Sequence, residues 1–223
     1  MPPRTAETRP YLRAGERRCQ LLEAAAAVVG REGLGSLTVA AVAAKAGVSR
    51  QWVYEHFSDL DDLYRALILD RFATLDGTID AATKRMTGLE LAAFAARQLF
   101  ALDPADRRIL RALVDGAGWS RPELADIESE LRERIFRRWT GFVLNAGYGE
   151  PEARAIVWTI VNGVFGFADQ IEREALAVEQ AVFLLKRLVR AFIDPSTTGH
   201  GAVEASVDGV VIDRRGTGAL HAH

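Results

Sequence analysis

A three-residue corner constrains this chain more than any other feature. In the stretch AVAAKAGVSRQWVYEHF, Ala41 to Phe57, small and mostly apolar residues run up to Gly47-Val48-Ser49, and a crowd of large hydrogen-bonding side chains follows. Glycine takes the left-handed conformation that ends a helix at no steric cost, and serine is a good N-cap for the next helix. The stretch therefore predicts two short helices: Val39 to Ala46, capped by Thr38, and Arg50 to about Phe57, capped by Ser49. That is the outline of a helix-turn-helix. Ala43 is small where the two helices would cross, and Val42, Val48, Val53 and Phe57 can fill one core. Arg50, Gln51, Trp52, Tyr54 and His56 are left on or near the open side of the second helix. Such residues either cover a core or are presented to something outside. A helix fits the major groove of B-DNA, about 12 Å wide. There Arg and Gln can read base edges, Trp and Tyr can touch sugar, methyl groups or phosphate, and Ser49 with the helix N-terminus can hold a phosphate.

The rest of the chain keeps a helical period. Cys19, Leu22, Ala26 and Val29 step by three and four, predicting a helix from about Ala14 to Arg31. Asp59 caps a further helix whose first turn carries Asp61 and Asp62, and which is expected to end near Asp76, before Gly77. Pro104 suits the first position of a helix to about Asp115, and Pro122 opens a stretch to about Asn145 after the loop GAGWSRP. Two long apolar segments follow and stop at Asp194-Pro195. No alternating strand pattern occurs before residue 200. The expected fold is all-α with about nine helices: a helix-turn-helix domain over 14–60 and a helical domain over 61–195. A flexible arm, 1–13, and a Gly/Ser/Thr-rich tail, 196–223, flank them.

Charge and composition exclude several function classes. Residues 1–57 carry eight Arg/Lys against five Asp/Glu, whereas the whole chain is formally −2. The basic part is therefore the part holding the corner, where an anionic partner would dock. No run of about 20 apolar residues exists, so no membrane span is expected, and the charged first residues lack the apolar core of a secretory signal. The single Cys19 forbids an internal disulfide and fits a reducing cytoplasm. Cys19 lies on an apolar helix face, and His56 is the one histidine before residue 200. No Ser/His/Asp set, phosphate loop or metal-spaced cluster appears. An all-α enzyme is the remotest alternative, and neither a cofactor nor a metal site is expected.

The stretch RRCQLLEAAAAVVGREGLGSLTVAAVAAKAGVSRQWVYEHFSDLDDLYRALI resembles the tetracycline repressor (TetR) family. An Arg-led first helix, EGLGSLTVAAVAAKAGVS, the VYEHF ending and the acidic-capped helix after it carry the resemblance, over about residues 14–68. It implies a homodimeric regulator, usually a repressor, that binds operator DNA through its N-terminal domain and a small effector in its helical body. On this chain it implies phosphate contacts from Thr38 and Ser49, base reading by Arg50, Gln51 and Trp52, and backbone clamping by Tyr54 and His56. Many members have a Lys where this chain has Leu60. Backbone amides would then serve alone there, with Arg17, Arg18 or the arm as compensation. A helix-turn-helix protein without effector is the alternative, but it would not need some 130 further helical residues.

In the body, the aromatic residues Phe94, Trp119, Trp139, Phe142 and Trp158 are candidates to line an effector cavity, with Thr159 and Asn162 as orienting polar groups. The segment ARAIVWTIVNGVFGF is apolar almost all round, as a helix buried on two sides is. Its row Val157, Val161 and Phe165, with Ala181, Leu184 and Leu188 on the last helix, is the expected dimer interface.

Overall fold

The computed structural model describes residues 14–86, 88–115 and 124–193. Among these there are nine α-helices and no strand. They are α1 (Ala14–Glu32), α2 (Val39–Ala46), α3 (Arg50–Tyr54), α4 (Leu60–Thr83), α5 (Gly88–Ala101), α6 (Pro104–Asp115), α7 (Ala125–Leu144), α8 (Glu150–Glu172) and α9 (Val178–Ile193). The arm, the tail, Trp119 and Pro122 lie outside the described residues.

The corner forms by local chemistry. The Thr38 hydroxyl accepts the Ala41 N–H at 3.1 Å, and the Ser49 hydroxyl accepts the Trp52 N–H at 3.1 Å. Between these caps Gly47 sits at φ 69°, ψ 35°, the left-handed region that a side chain would strain. Val42, Val53 and Phe57 are buried against Leu21, Ala25 and Val29 of α1 and Leu63 and Leu67 of α4. Each of these large side chains is worth about 1.5–3 kcal/mol when fully buried, so the short helices are held by their core rather than by their own propensity.

Three expectations need correction. Helix α3 ends at Tyr54 rather than Phe57, because a turn at Glu55 and His56 swings Phe57 into the core. Helix α4 does not stop before Gly77 but runs on to Thr83. A glycine in a helix interior costs about 1 kcal/mol, whereas burying Ile79 on the far side of it returns about 1.5–3 kcal/mol. Cys19 is exposed. The buried face of α1 begins at Leu21, so its period fits Leu22, Ala26 and Val29 while the turn before them projects beyond the contact.

The body packs α5 on α9, α7 on α8, and α8 on α9. Helix α6 wedges between this bundle and α1. The approach is close: a Cβ added at Gly30 would lie 2.5 Å from the Ala105 Cβ. At the same joint Arg71 of α4 donates to Glu23 of α1 at 2.7 Å and pairs with Asp106 of α6 at 3.1 Å. One buried core runs through α1, α4, α6 and α9 without a break.

Candidate functional site

The second helix of the corner has two faces. Val53 is wholly buried, while Arg50, Gln51 and Tyr54 stand in solvent, Tyr54 at 54% exposure. Thr38 and Ser49 are exposed beside them, each hydroxyl oxygen already accepting one backbone N–H. Trp52 and His56 are half-buried and meet edge to face at 4.9 Å. The Arg17 guanidinium carbon lies 5.6 Å from the Trp52 ring centre. Arg18 donates to the His56 carbonyl at 2.7 Å and covers the Phe57 ring at 4.3 Å. The nine candidates thus form two groups. Thr38, Ser49, Arg50, Gln51 and Tyr54 make an open surface, and Arg17, Arg18, Trp52 and His56 make a stacked support that fixes α3 on α1. Lys45, exposed in the last turn of α2, joins the open surface. The sequence carried that signal, a lone cation just before the corner.

At the start of α4 two of the backbone amides are already engaged. Asp59 accepts the Asp62 N–H at 2.7 Å, and Asp62 accepts the Ser58 N–H at 2.9 Å. Leu60 packs against the core instead of reaching outward.

In the body, α4 to α9 line a partly open cavity of about 170 Å³. A cavity of roughly 150 Å³ takes a benzene-sized molecule. Trp139 and Phe142 line it, with Phe72, Ile79, Ile135 and Leu185. Phe94, Trp158, Thr159 and Asn162 do not. Phe94 is half-buried elsewhere on α5. Trp158 packs 5.8 Å from Phe136 under the Arg132 guanidinium. The Thr159 hydroxyl is exposed and donates to the Ala155 carbonyl, and Asn162 Nδ2 donates to the Trp158 carbonyl, both at 2.9 Å. The reason is rotational: α8 turns Val157, Val161 and Phe165 to the cavity, which puts Thr159 on the opposite side.

That rotation also decides how the expected interface row is exposed. Val157, Phe165 and Ala181 are buried within the chain itself. Val161 lines the cavity, and Leu188 packs toward Gly163 of the same chain. Leu184, 38% exposed, does face outward, and Phe183 beside it is 59% exposed. Helix α9 buries Ala181, Val182, Leu185 and Val189 as one stripe, and positions 183 and 184 fall outside it.

The cavity's polar lining comes from Asp76 and Arg138. Asp76 is buried; Arg138 donates to its Oδ1 and, at 3.2 Å, to Asp80, while Arg134 Nη2 lies 2.6 Å from Asp76 Oδ2. Beside the cavity Lys186 donates to Glu90 at 2.9 Å and Arg97 donates to Glu179, tying α5 to α9. These hydrogen bonds hold both carboxyls below their ordinary range. At the head–body joint the balance is opposite: burial pushes the Asp106 carboxyl up, outweighing the pull of Arg71. No group of His, Cys, Asp and Glu able to hold a metal occurs among the described residues, and no described helix is long and apolar enough to cross a membrane.

A helix-turn-helix head on an all-helical body with an apolar cavity is a class of its own. Comparison with known proteins shows what it resembles. Residues 21–67 match the family model for bacterial regulatory proteins, tetR family. A transcriptional regulator from Rhodococcus sp. Rha1 superposes with a TM-score of 0.65 at 26% identity, over 78% of this chain and 95% of that one. A TetR family member from Streptomyces coelicolor A3 gives 0.55 at 26%, over 78% and 98%. A TetR-like regulator from Rhodococcus sp. RHA1 gives 0.65 at 19%, over 81% and 97%, and shares the fold. No curated protein matches the sequence significantly. Residues 21–67 thus carry the match to the tetR family of bacterial regulatory proteins, and the chain shares the fold of regulators similar to that family.

Proposed function

We propose that the protein is a cytoplasmic transcriptional regulator acting as a repressor. Its homodimer binds an approximately palindromic operator through residues 14–60 and releases it when a small, largely apolar effector enters the body, residues 61–195. The observation that carries the reading is the split of α3: Val53 is sealed in the core while Arg50, Gln51 and Tyr54 stand free beside two exposed caps. A helix fastened on one side and polar on the other suits the major groove. One short helix contacts few bases, so two heads about 34 Å apart are needed to read successive turns. The outward pair Phe183 and Leu184 on α9 supplies an apolar patch for that pairing. The effector's influence is bounded by the difference in its affinity for the two head spacings.

The test is a fluorescence-anisotropy titration of the full chain against a selected duplex and a random one across a salt series. Affinity should fall steeply with salt as counterions leave the phosphates. Arg50→Ala and Gln51→Ala should each lose about 1–3 kcal/mol of discrimination, whereas Tyr54→Ala should weaken both duplexes alike. Equal affinity for the two duplexes in the unmodified protein would defeat the reading.

A further inference from the structure

We infer that the effector is an amphiphile with one anionic end, its hydrocarbon body in the cavity and its head group held at Arg137. The inference rests on the effector reading above and adds the ligand's chemical class.

It comes from a second hollow beside the first. Arg138 and Phe142 line both, so these two side chains stand between the apolar cavity and a more open vestibule. The vestibule is lined by Arg134, Arg137, Asp80 and Thr83 as well. Three guanidinium groups thus meet two carboxylates, those of Asp76 and Asp80, leaving one positive charge over. The pairing shows which charge that is. Arg138 donates to Asp76 and Asp80, and Arg134 lies on the second Asp76 oxygen. Arg137 is exposed at the vestibule and forms no hydrogen bond with any described residue; its charge acts at longer range on Glu133, one turn before it, whose carboxylate Arg154 already holds at 2.7 Å.

A ligand reaching past Arg138 and Phe142 meets two chemistries in order. The cavity offers it apolar side chains, with its one carboxylate already flanked by two arginines. The vestibule offers a guanidinium whose hydrogen-bond donors meet no described residue, which suits a carboxylate or phosphate oxygen by forked, charge-assisted hydrogen bonds. A cationic head would meet the surplus positive charge and would have to displace an arginine from Asp76. A neutral head would gain only from the body. The cavity's size limits that body to a short chain or a single ring.

The experiment is calorimetric titration of the full chain with three probes sharing one tail: octanoate, octanol and octylamine. Octanoate should bind tighter than octanol by about threefold to tenfold, the range of a partly screened charge contact, and octylamine should bind weakest. Arg137→Ala should erase the octanoate advantage while the octanol affinity changes little, and Arg137→Lys should restore part of it. Thermal melts check that each variant is folded. Octanol or octylamine binding as tightly as octanoate would overturn the inference and leave the apolar-effector reading standing. An octanoate advantage that survives both Arg137→Ala and Arg137→Glu would overturn it too. Absence of binding by all three probes would overturn the inference together with the effector reading. An octanoate preference with no change in operator affinity would support the ligand class and defeat the release mechanism.

Discussion

The head and the body are built from the same helices and the same apolar core, yet they are specified over different distances. In the head, the caps that shape the corner close within a few residues, Thr38 to Ala41, Ser49 to Trp52 and Asp59 to Asp62, and the side-chain tie from Arg18 to His56, just past α3, spans 38. In the body the decisive contacts close across the chain. Asp76 meets Arg138 at a separation of 62 residues, Glu90 meets Lys186 at 96, and the cavity draws side chains from six helices. A site specified locally can be altered one residue at a time with local consequences. A site specified by packing shifts as a unit, because turning one helix changes every residue it presents.

The largest expected effect tests where the two regions cease to be separate. Leu67 is wholly buried in the core that joins them. Leu67→Ala should cost about 2–5 kcal/mol and move one common transition. Urea unfolding followed by far-UV circular dichroism and by tryptophan fluorescence should give coincident curves. Two resolved transitions would mean that head and body are independent units.

Gly30→Ala comes next. The new methyl meets Ala105 at the joint, and overpacking of this kind costs about 1–3 kcal/mol. The loss should appear in thermal melts, and hydrogen exchange should rise in both α1 and α6. An increase confined to α1 would show that the joint is slack.

The caps should behave in the opposite way. Thr38→Ala or Ser49→Ala should cost about 1 kcal/mol, with faster hydrogen exchange limited to α2 and α3. Changes spreading into α5 to α9 would break the contrast between the regions.

The smallest effect is a pH dependence in the body. The Glu90 and Glu179 carboxyls are depressed by their partners Lys186 and Arg97. A depressed acid stabilises the fold above its unfolded pKa, about 4.3 for Glu, and loses that contribution as pH falls through the lower folded value. Both groups are exposed, so the slope should be shallow. Glu90→Gln should flatten the acid limb of a pH series of melting temperatures, and an unchanged limb would remove this pair from the account.

The same contrast explains what the sequence could reveal. Caps and the Gly47 corner are written in adjacent residue types, so α2, α3 and the start of α4 are legible. The end of α4 was not, since Gly77 is a stop signal only if no apolar face continues beyond it, and Ile79 continues it. Aromatic residues on α7 and α8 could be recognised as interior, but nothing in their spacing distinguishes Trp139, which lines the cavity, from Trp158, which packs under Arg132. That choice depends on the rotation of each helix against its neighbours. For the same reason Ala181 reads as interface and lies in the core, while Phe183 reads as nothing and stands in solvent. Arg137 carries no pattern at all until the fold places it beside Arg134 and Arg138 at the vestibule.

The most direct test of the central claim is selection of bound duplexes from a random pool by the full chain, followed by the mass of the complex formed with the enriched site. The account predicts enrichment of an approximate palindrome whose half-site centres lie about 10 base pairs, or a multiple of that, apart. It also predicts a complex containing two copies, and loss of the consensus when selection is repeated with Arg50→Ala. A pool that stays random after repeated rounds, or an enriched site that Arg50→Ala and Gln51→Ala both select unchanged, would contradict it.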